Sequence, residues 1–324
     1  VSDAIIAAEN LTKHYQLTSA GFSSRTGVVH ALEDVSLAIM PGEVFGLVGE
    51  SGCGKSTLGR VLLRLEEPTS GKSVFEGEDL AGFGPERLKK FRRQAQIIYQ
   101  DPYSALNPRK KVGKTIEEAL AIHKIGTPAE RAQRVAELLS TVGLRPEHAK
   151  RYPHEFSGGQ RQRIVIARAL ALNPRLILAD EPVSALDVSI QAQVINLLEK
   201  LKADFGLTYL FISHDLSVVE HMADRVGVMY LGRMVELAAK EDFYAQALHP
   251  YSLALLSAAP VPDPTQARNR IILTGDVPSP INPPSGCAFH PRCPRAMEIC
   301  TEKRPEFKEI HKGRWVACHL HSNG

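Results

Sequence analysis

Long apolar runs, a strong charge bias and a spread of cysteines are all missing from this sequence, and each absence excludes a class of protein. No uninterrupted apolar stretch approaches the ~18 residues that a membrane-crossing helix requires. The first residues also lack the basic-then-apolar pattern of a secretory signal, so a cytosolic protein is expected. The formal net charge is only +3 and no basic stripe stands out, which gives nucleic acid no electrostatic footprint to bind. There are five cysteines, and four of them (Cys287, Cys293, Cys300 and Cys318) crowd into the C-terminal end. In a reducing compartment that clustering suggests metal before disulfide. At 324 residues the chain buries a full core and has room for one large domain plus an appendage.

What is present is a phosphate-binding loop. The apolar run Val44-Phe45-Gly46-Leu47-Val48 leads into Gly49-Glu50-Ser51-Gly52-Cys53-Gly54-Lys55-Ser56-Thr57, a short buried strand, a glycine-rich turn and the start of a helix. That is the layout of a triphosphate-binding P-loop. Gly49, Gly52 and Gly54 let the backbone aim its N–H groups at phosphate oxygens. Lys55 is then expected to reach the terminal phosphates, and the Ser56 hydroxyl to ligate Mg²⁺ at the helix N-terminus. Cys53 faces backbone donors that would lower its thiol pKa, although a small filler side chain is the simpler reading.

Around this loop the chain reads as α/β. Ile5 to Tyr15 and Ala31 to Met40 read as strands, the second ending at the turn Pro41-Gly42-Glu43, with Thr18 to Gly27 between them as an exposed loop. Ser73 to Glu76 reads as a short strand, Leu88 to Arg93 as a basic helix, and Gln96 to Gln100 as a strand stopped by Asp101-Pro102. From Asn107 to Tyr152 the periodicity is helical, with Val135, Leu138, Leu139 and Val142 on one face, as for a helical subdomain inserted in the core. A helix follows Ser157-Gly158-Gly159-Gln160. Leu176 to Asp180 then reads as a strand buried on both faces of a parallel sheet. Helix Ile190 to Phe205 and strands Tyr209 to Ser213 and Arg225 to Leu231 complete a βαβ alternation. Past residue 240, 10 of the 21 prolines fall between Pro250 and Pro294, and Val277 to Pro284 is expected to wrap irregularly along a surface.

A P-loop protein needs a second acid for Mg²⁺. Asp180 ends an apolar strand, where ligands of open α/β sheets gather. Glu181 follows and is placed to orient or deprotonate an attacking water; read alone, it is equally an N-cap or surface acid before Pro182.

With further motifs in order, the chain resembles the nucleotide-binding subunits of ABC transporters. Ser157-Gly158-Gly159-Gln160 resembles the ABC signature, with Phe156 where Leu is usual. Gln100 matches the Q-loop, Ser184-Ala185-Leu186-Asp187 the D-loop, His214 the switch histidine and Tyr15 the adenine-stacking aromatic. Taken singly, Tyr15 is more often a core or surface residue than a base stacker, His214 before Asp215 more often a loop residue, and Ser-Gly-Gly a common turn. The resemblance implies that Tyr15 stacks the base and that Gln100 senses Mg²⁺ or water and links to the membrane partner. It also implies that Ser184 and Asp187 lie at a dimer interface, that His214 contacts the γ-phosphate and holds Glu181, and that the signature acts in trans on ATP held by the opposite subunit. The implied fold is a P-loop core with a mostly parallel sheet, an N-terminal antiparallel β subdomain, an inserted helical subdomain (about 101–170) and an irregular Cys-containing extension. Residues 1–240 would form the nucleotide-binding domain and 241–324 the extension.

Asp101 to Arg109, His249-Pro250-Tyr251-Ser252 and Pro280 to Cys287 narrow the likeness to the F-type ATPase of oligopeptide/dipeptide importers, over essentially the whole chain. That resemblance implies a peripheral subunit on the cytoplasmic face of the membrane. Its implied partners are a related D-type ATPase, two transmembrane permease subunits and, outside, a peptide-binding protein. Importers of nickel chelates or glutathione are close alternatives, and a soluble ABC ATPase outside transport is a more distant one. The cysteine spacing, C-x5-C-x6-C-x17-C, lacks the tight knuckle of many zinc sites. Four thiolates suit either Zn²⁺ or an iron-sulfur cluster, and the resemblance points to a 4Fe-4S cluster. Unligated cysteines, or ligation helped by His290, His319 or His321, are the other readings.

Overall fold

The computed structural model describes residues 3–17, 27–259 and 270–321. The chain forms two compact units, 1–82 with 213–324, and 83–212.

In the first stretch, β1 (Ile6–Leu17) lies between β2 (Gly27–Ile39) and β4 (Ser70–Phe75) in an antiparallel sheet that β5 (Glu78–Asp79) extends. Of the loop expected at Thr18 to Gly27, residues 18–26 lie outside the described residues and Gly27 already belongs to β2. β3 (Val44–Val48) is buried at every position and feeds α1 (Lys55–Leu62). Its Gly46 has a packing reason, since a Cβ there would meet Val219 Cγ1 at 2.6 Å.

The second unit opens with α2 (Pro85–Gln94) and β6 (Ala95–Ile98), which stops short of Tyr99 and Gln100. Three helices follow, α3 (Pro102–Ala105), α4 (Val112–Ile122) and α5 (Pro128–Thr141), the last opened by a Thr127–Glu130 capping box. Next come α6 (Gly158–Leu170), β7 (Leu176–Asp180), α7 (Val188–Phe205) and β8 (Thr208–Ile212). Strands β6, β7 and β8 pair in parallel in that order, Ile177 opposite Gln96 on one side and Tyr209 on the other. Continuous burial of Leu176 to Ala179 is what a strand covered by helices on both faces needs.

The chain returns to the first unit with α8 (Leu216–Met222), β9 (Arg225–Tyr230), β10 (Arg233–Ala239), α9 (Lys240–Ala245) and α10 (Pro250–Ala258). β9 runs parallel to β3, with Leu47 opposite Gly227, and antiparallel to β10. The Pro-rich segment 270–289 has no regular structure, and it lies against β2, where His30 N–H donates to Pro280 O at 2.9 Å. The tail ends in α11 (Glu298–Glu302) and the hairpin β11 (Lys308–His311) and β12 (Arg314–Val316), which pairs antiparallel with β10. No helix among the described residues is long and apolar enough to cross a membrane.

Candidate functional site

The loop between β3 and α1 takes the left-handed backbone that its glycines permit, with φ of 150° at Gly49, 79° at Gly52 and 106° at Gly54. A Cβ on Gly49 would lie 2.3 Å from Met229 O, and one on Gly54 2.4 Å from Ala31 O. Lys55 is 4 % exposed and folds over the loop, its ammonium donating to Gly49 O at 2.7 Å and Glu50 O at 3.0 Å. Ser56 follows at the start of α1, half-buried. Cys53 reverses the expected pKa direction: its burial outweighs the nearby Lys55 charge and loop N–H groups and pushes the thiol up. The small-filler reading of that cysteine stands.

Tyr15 lies on β1, half-buried, and its hydroxyl donates to the Glu66 carboxylate, which Arg60 Nε also contacts at 2.7 Å. Burial, then that bond to Glu66, raises the phenol pKa. His214 is exposed in the bend before α8, next to Ser213, whose N–H donates to Leu47 O of the phosphate-loop strand at 3.2 Å. The first unit therefore carries the phosphate loop, Tyr15 and His214.

The second unit carries the acids. β7 delivers Asp180, half-buried, and the chain then turns at Glu181, a non-glycine residue with φ of 48°. Glu181 N–H donates to Ile212 O at 3.0 Å, and its carboxylate accepts from Gln100 Nε2 at 3.1 Å. Residues 81 apart in sequence are thus brought together, a pairing no local pattern announces. Glu181 is not a helix cap: its carbonyl accepts from the Ser184 N–H and hydroxyl, at 3.3 and 3.1 Å. Asp187 stands at the N-cap position of α7, and Gln191 Nε2 braces the turn through Val183 O and Leu186 O.

Ser157 and Gln160 form a capping box on α6, with Ser157 N–H on Gln160 Oε1 at 3.1 Å and Gln160 N–H on Ser157 Oγ at 3.3 Å. Phe156 is 4 % exposed, the apolar anchor expected of it. The two signature glycines differ. A Cβ on Gly159 would collide with Ile190 Cγ2 at 2.4 Å, whereas one on Gly158 meets only Leu186 Cδ2 at 3.5 Å. Gly158→Ala is therefore expected to leave thermal stability within ~0.5 kcal/mol yet depress ATPase of an assembled complex, the outcome that a nucleotide-facing role of the signature stretch requires. Thermal melts and turnover assays separate the two effects.

One glutamate, two histidines and one arginine form an ion-pair knot on the first unit. Glu33 accepts from His14 and, at 2.6 Å, from His30, and Arg233 Nη2 holds its second oxygen at 3.0 Å. A guanidinium already supplies the positive charge there.

In the extension, Cys287 N–H donates to Cys300 O at 2.8 Å, and the thiols of Cys287, Cys293 and Cys318 are pushed up by burial, that of Cys318 to about 11. Cys318 also feels the charges of Cys287, Cys293 and Cys300, so the four lie within electrostatic reach. No three of their sulfurs come within 4.8 Å of one another. A single tetrahedral ion with Zn–S of about 2.3 Å needs sulfurs ~3.8 Å apart, so the set is too open for it as arranged. A ring nitrogen of each of His290, His319 and His321 sits on a backbone carbonyl (Cys287 O, Lys303 O and Leu248 O).

Two residues that sequence patterns did not single out for this site reach the phosphate loop. Arg292 forks onto the Glu50 carboxylate at 2.7 and 3.0 Å, and the Tyr251 hydroxyl accepts the Glu50 N–H at 2.8 Å. Tyr251 follows His249, which caps α10; burial, with His321 nearby, takes the His249 pKa down to about 3, so the neutral ring accepts the Tyr251 N–H at 3.1 Å. The only signal was the His-Pro-Tyr-Ser run.

Family models match the chain twice: "ABC transporter" over residues 32–184 and "Oligopeptide/dipeptide transporter, C-terminal region" over 235–300. The oligopeptide transport ATP-binding protein AppF of Bacillus subtilis is 55% identical over 323 residues, covering 99% of this chain and 98% of its own. The chain belongs to the ABC transporter ATP-binding family. Within it, the putative oligopeptide transport ATP-binding protein YkfD of Bacillus subtilis is 56% identical over 298 residues, 91% of each chain. Among solved structures, the post-hydrolysis dimer of the ATP-binding cassette MJ0796 with ADP and phosphate aligns at TM-score 0.64 and 31% identity, over 72% of this chain and 98% of that one. The ABC cassette assignment thus rests on sequence and fold together, and the P-loop core with an antiparallel N-terminal sheet and a parallel sheet is as expected.

Proposed function

We propose that this ABC ATPase is the ATP-hydrolysing subunit of a peptide importer, peripheral on the cytoplasmic face of the membrane beneath two permease subunits. A distinct but related ATPase completes the pair, and a binding protein delivers peptide from outside. The observation that carries the catalytic part is Glu181, set by β7 at a sharp turn and hydrogen-bonded to Gln100. Such a carboxylate orients a water and takes its proton as the β–γ bond breaks. Loop amides and Lys55 receive the phosphate charge, Tyr15 stacks on the base, and His214 contacts the γ-phosphate. The oxygen donors Ser56 and Asp180, with Gln100, suit Mg²⁺, which when bound neutralises charge on the phosphates. Ser157 to Gln160 and the turn bearing Ser184 and Asp187 serve the dimer interface, so isolated chains bind ATP but turn it over slowly.

For the extension, we assign the four cysteines as ligands of a 4Fe-4S cluster, a reading supported by the four thiols lying within electrostatic reach of one another. Bound, it supplies a crosslink that staples Pro-rich chain too poor in apolar contacts to order itself. Anaerobically purified protein is expected to contain about four irons per chain; stoichiometric zinc, or no metal, would overturn that assignment.

Native purification from the membrane tests the transport reading. Permease subunits and a second ATPase should copurify, and peptides should stimulate ATPase through the binding protein. Ribosomes or DNA in their place would defeat it, and stimulation by nickel chelates or glutathione alone would replace peptide as the solute.

A further inference from the structure

The phosphate loop is gripped from behind by the cysteine-bearing extension, across 242 residues of sequence. Arg292 lies in a short turn, 290–292, immediately before Cys293, and its side chain is 8 % exposed. Both terminal nitrogens engage Glu50, Nη1 on Oε2 at 2.7 Å and Nη2 on Oε1 at 3.0 Å, the planar fork that fixes direction as well as distance. The Glu50 backbone is held as well, its N–H donating to the buried Tyr251 hydroxyl. Behind the pair, Tyr230, Tyr251 and Phe289 pack with ring centroids 4.7 to 5.4 Å apart, and the Arg292 guanidinium lies 6.0 Å from the Tyr230 ring centroid, so both Tyr251 and Arg292 back onto one aromatic cluster.

This grip sits one residue from the loop's first glycine. Glu50 O also accepts from the Lys55 ammonium, so the position of residue 50 sets where Lys55 is anchored. A glycine-rich loop left to itself samples many conformations. Held at side chain and backbone of its second residue, it samples few.

We propose that Arg292, with Tyr251, is a positioning residue for the phosphate loop, so that the C-terminal extension raises nucleotide affinity by pre-forming the loop. This rests on the reading of Gly49 to Thr57 as the triphosphate site. Arg292 touches no phosphate; it acts through Glu50. Losing the pair lowers the fraction of loops in the binding-competent shape, and apparent affinity falls in proportion.

The test is equilibrium binding of a fluorescent ATP analogue with Mg²⁺ to the full chain carrying Arg292→Gln, Glu50→Gln or both. Each single variant is expected to weaken binding about tenfold, as a competent fraction reduced to about one tenth requires. The double variant should be no weaker than either single one, because both remove the same contact. In the assembled complex KM for ATP should rise while kcat at saturating ATP changes less than about twofold, the split expected when only loop pre-formation is lost. Arg292→Lys should recover part of the affinity. If Arg292→Gln impairs folding, Glu50→Gln carries the test alone, since it leaves the aromatic packing in place. Wild-type affinity in Glu50→Gln, or additive losses in the double variant, would overturn the proposal. Failure of the wild-type chain to bind the analogue would instead overturn the reading of the site itself.

Discussion

Replacing Glu181 by Gln is expected to lower ATP turnover of the assembled complex by at least ~100-fold while leaving nucleotide binding intact, the range that loss of a positioned general base produces. The substitution keeps the shape of the side chain and its backbone. Glu181 sits in the left-handed region at φ of 48°, fixed by its N–H on Ile212 O and by Ser184 on its carbonyl, none of which involves the carboxylate. Gln100 donates to Glu181 Oε2, and a glutamine amide oxygen at 181 accepts the same bond. What disappears is the negative charge and the site that receives a proton. Stopped-time phosphate release measures turnover, and analogue binding measures retention. Turnover within fivefold of wild type would remove Glu181 from the chemistry.

Gly54→Ala is expected to damage both stability and binding. Gly54 opens α1 with φ of 106°, where an L side chain is strained, and its new methyl would lie 2.4 Å from Ala31 O, a backbone atom in β2 that cannot swing aside. Strain alone costs about 1–3 kcal/mol, and the collision forces α1 and β2 apart besides. The strain alone lowers Tm by about 1.5–4.5 °C at the usual unfolding entropy per residue, the collision lowers it further, and ATP binding is lost because Lys55 and Ser56 shift with the helix. Gly52→Ala is the internal comparison. It shares the left-handed φ, at 79°, but nothing lies within 4 Å of its Cβ, so strain is its only penalty. Equal losses at the two positions would show that the collision with Ala31 is relieved cheaply.

Much of the site was readable locally, because its strongest elements obey local rules. Val44 to Val48 and Leu176 to Asp180 are unbroken apolar runs ending at a glycine turn and an acid, and both strands fall at those bounds. Ser157 and Gln160 announce a helix start by their own chemistry. Elements that escape notice carry a buried polar group or depend on distant partners. β10 contains Glu236, fully buried, whose carboxylate is satisfied by the N–H groups of Leu248 and His249; in sequence that acid interrupts a strand pattern. The sign of the Cys53 shift depended on how completely the loop encloses it. Arg292 reads as one basic residue among several near the cysteines until the fold sets it against Glu50.

The hairpin that closes the tail has a further consequence for how the molecule behaves in a crowded solution. β12 pairs only Trp315 and Val316 with β10, and beyond it β11 carries Lys308, Glu309 and His311 along the outermost strand. A short, charged outer strand is a poor template for another chain's backbone, whereas bare β10, with Met234 to Ala238 buried in sequence, would be a good one. With the extension in place, the β10 side of this sheet ends in a short, charged strand rather than a long bare apolar edge.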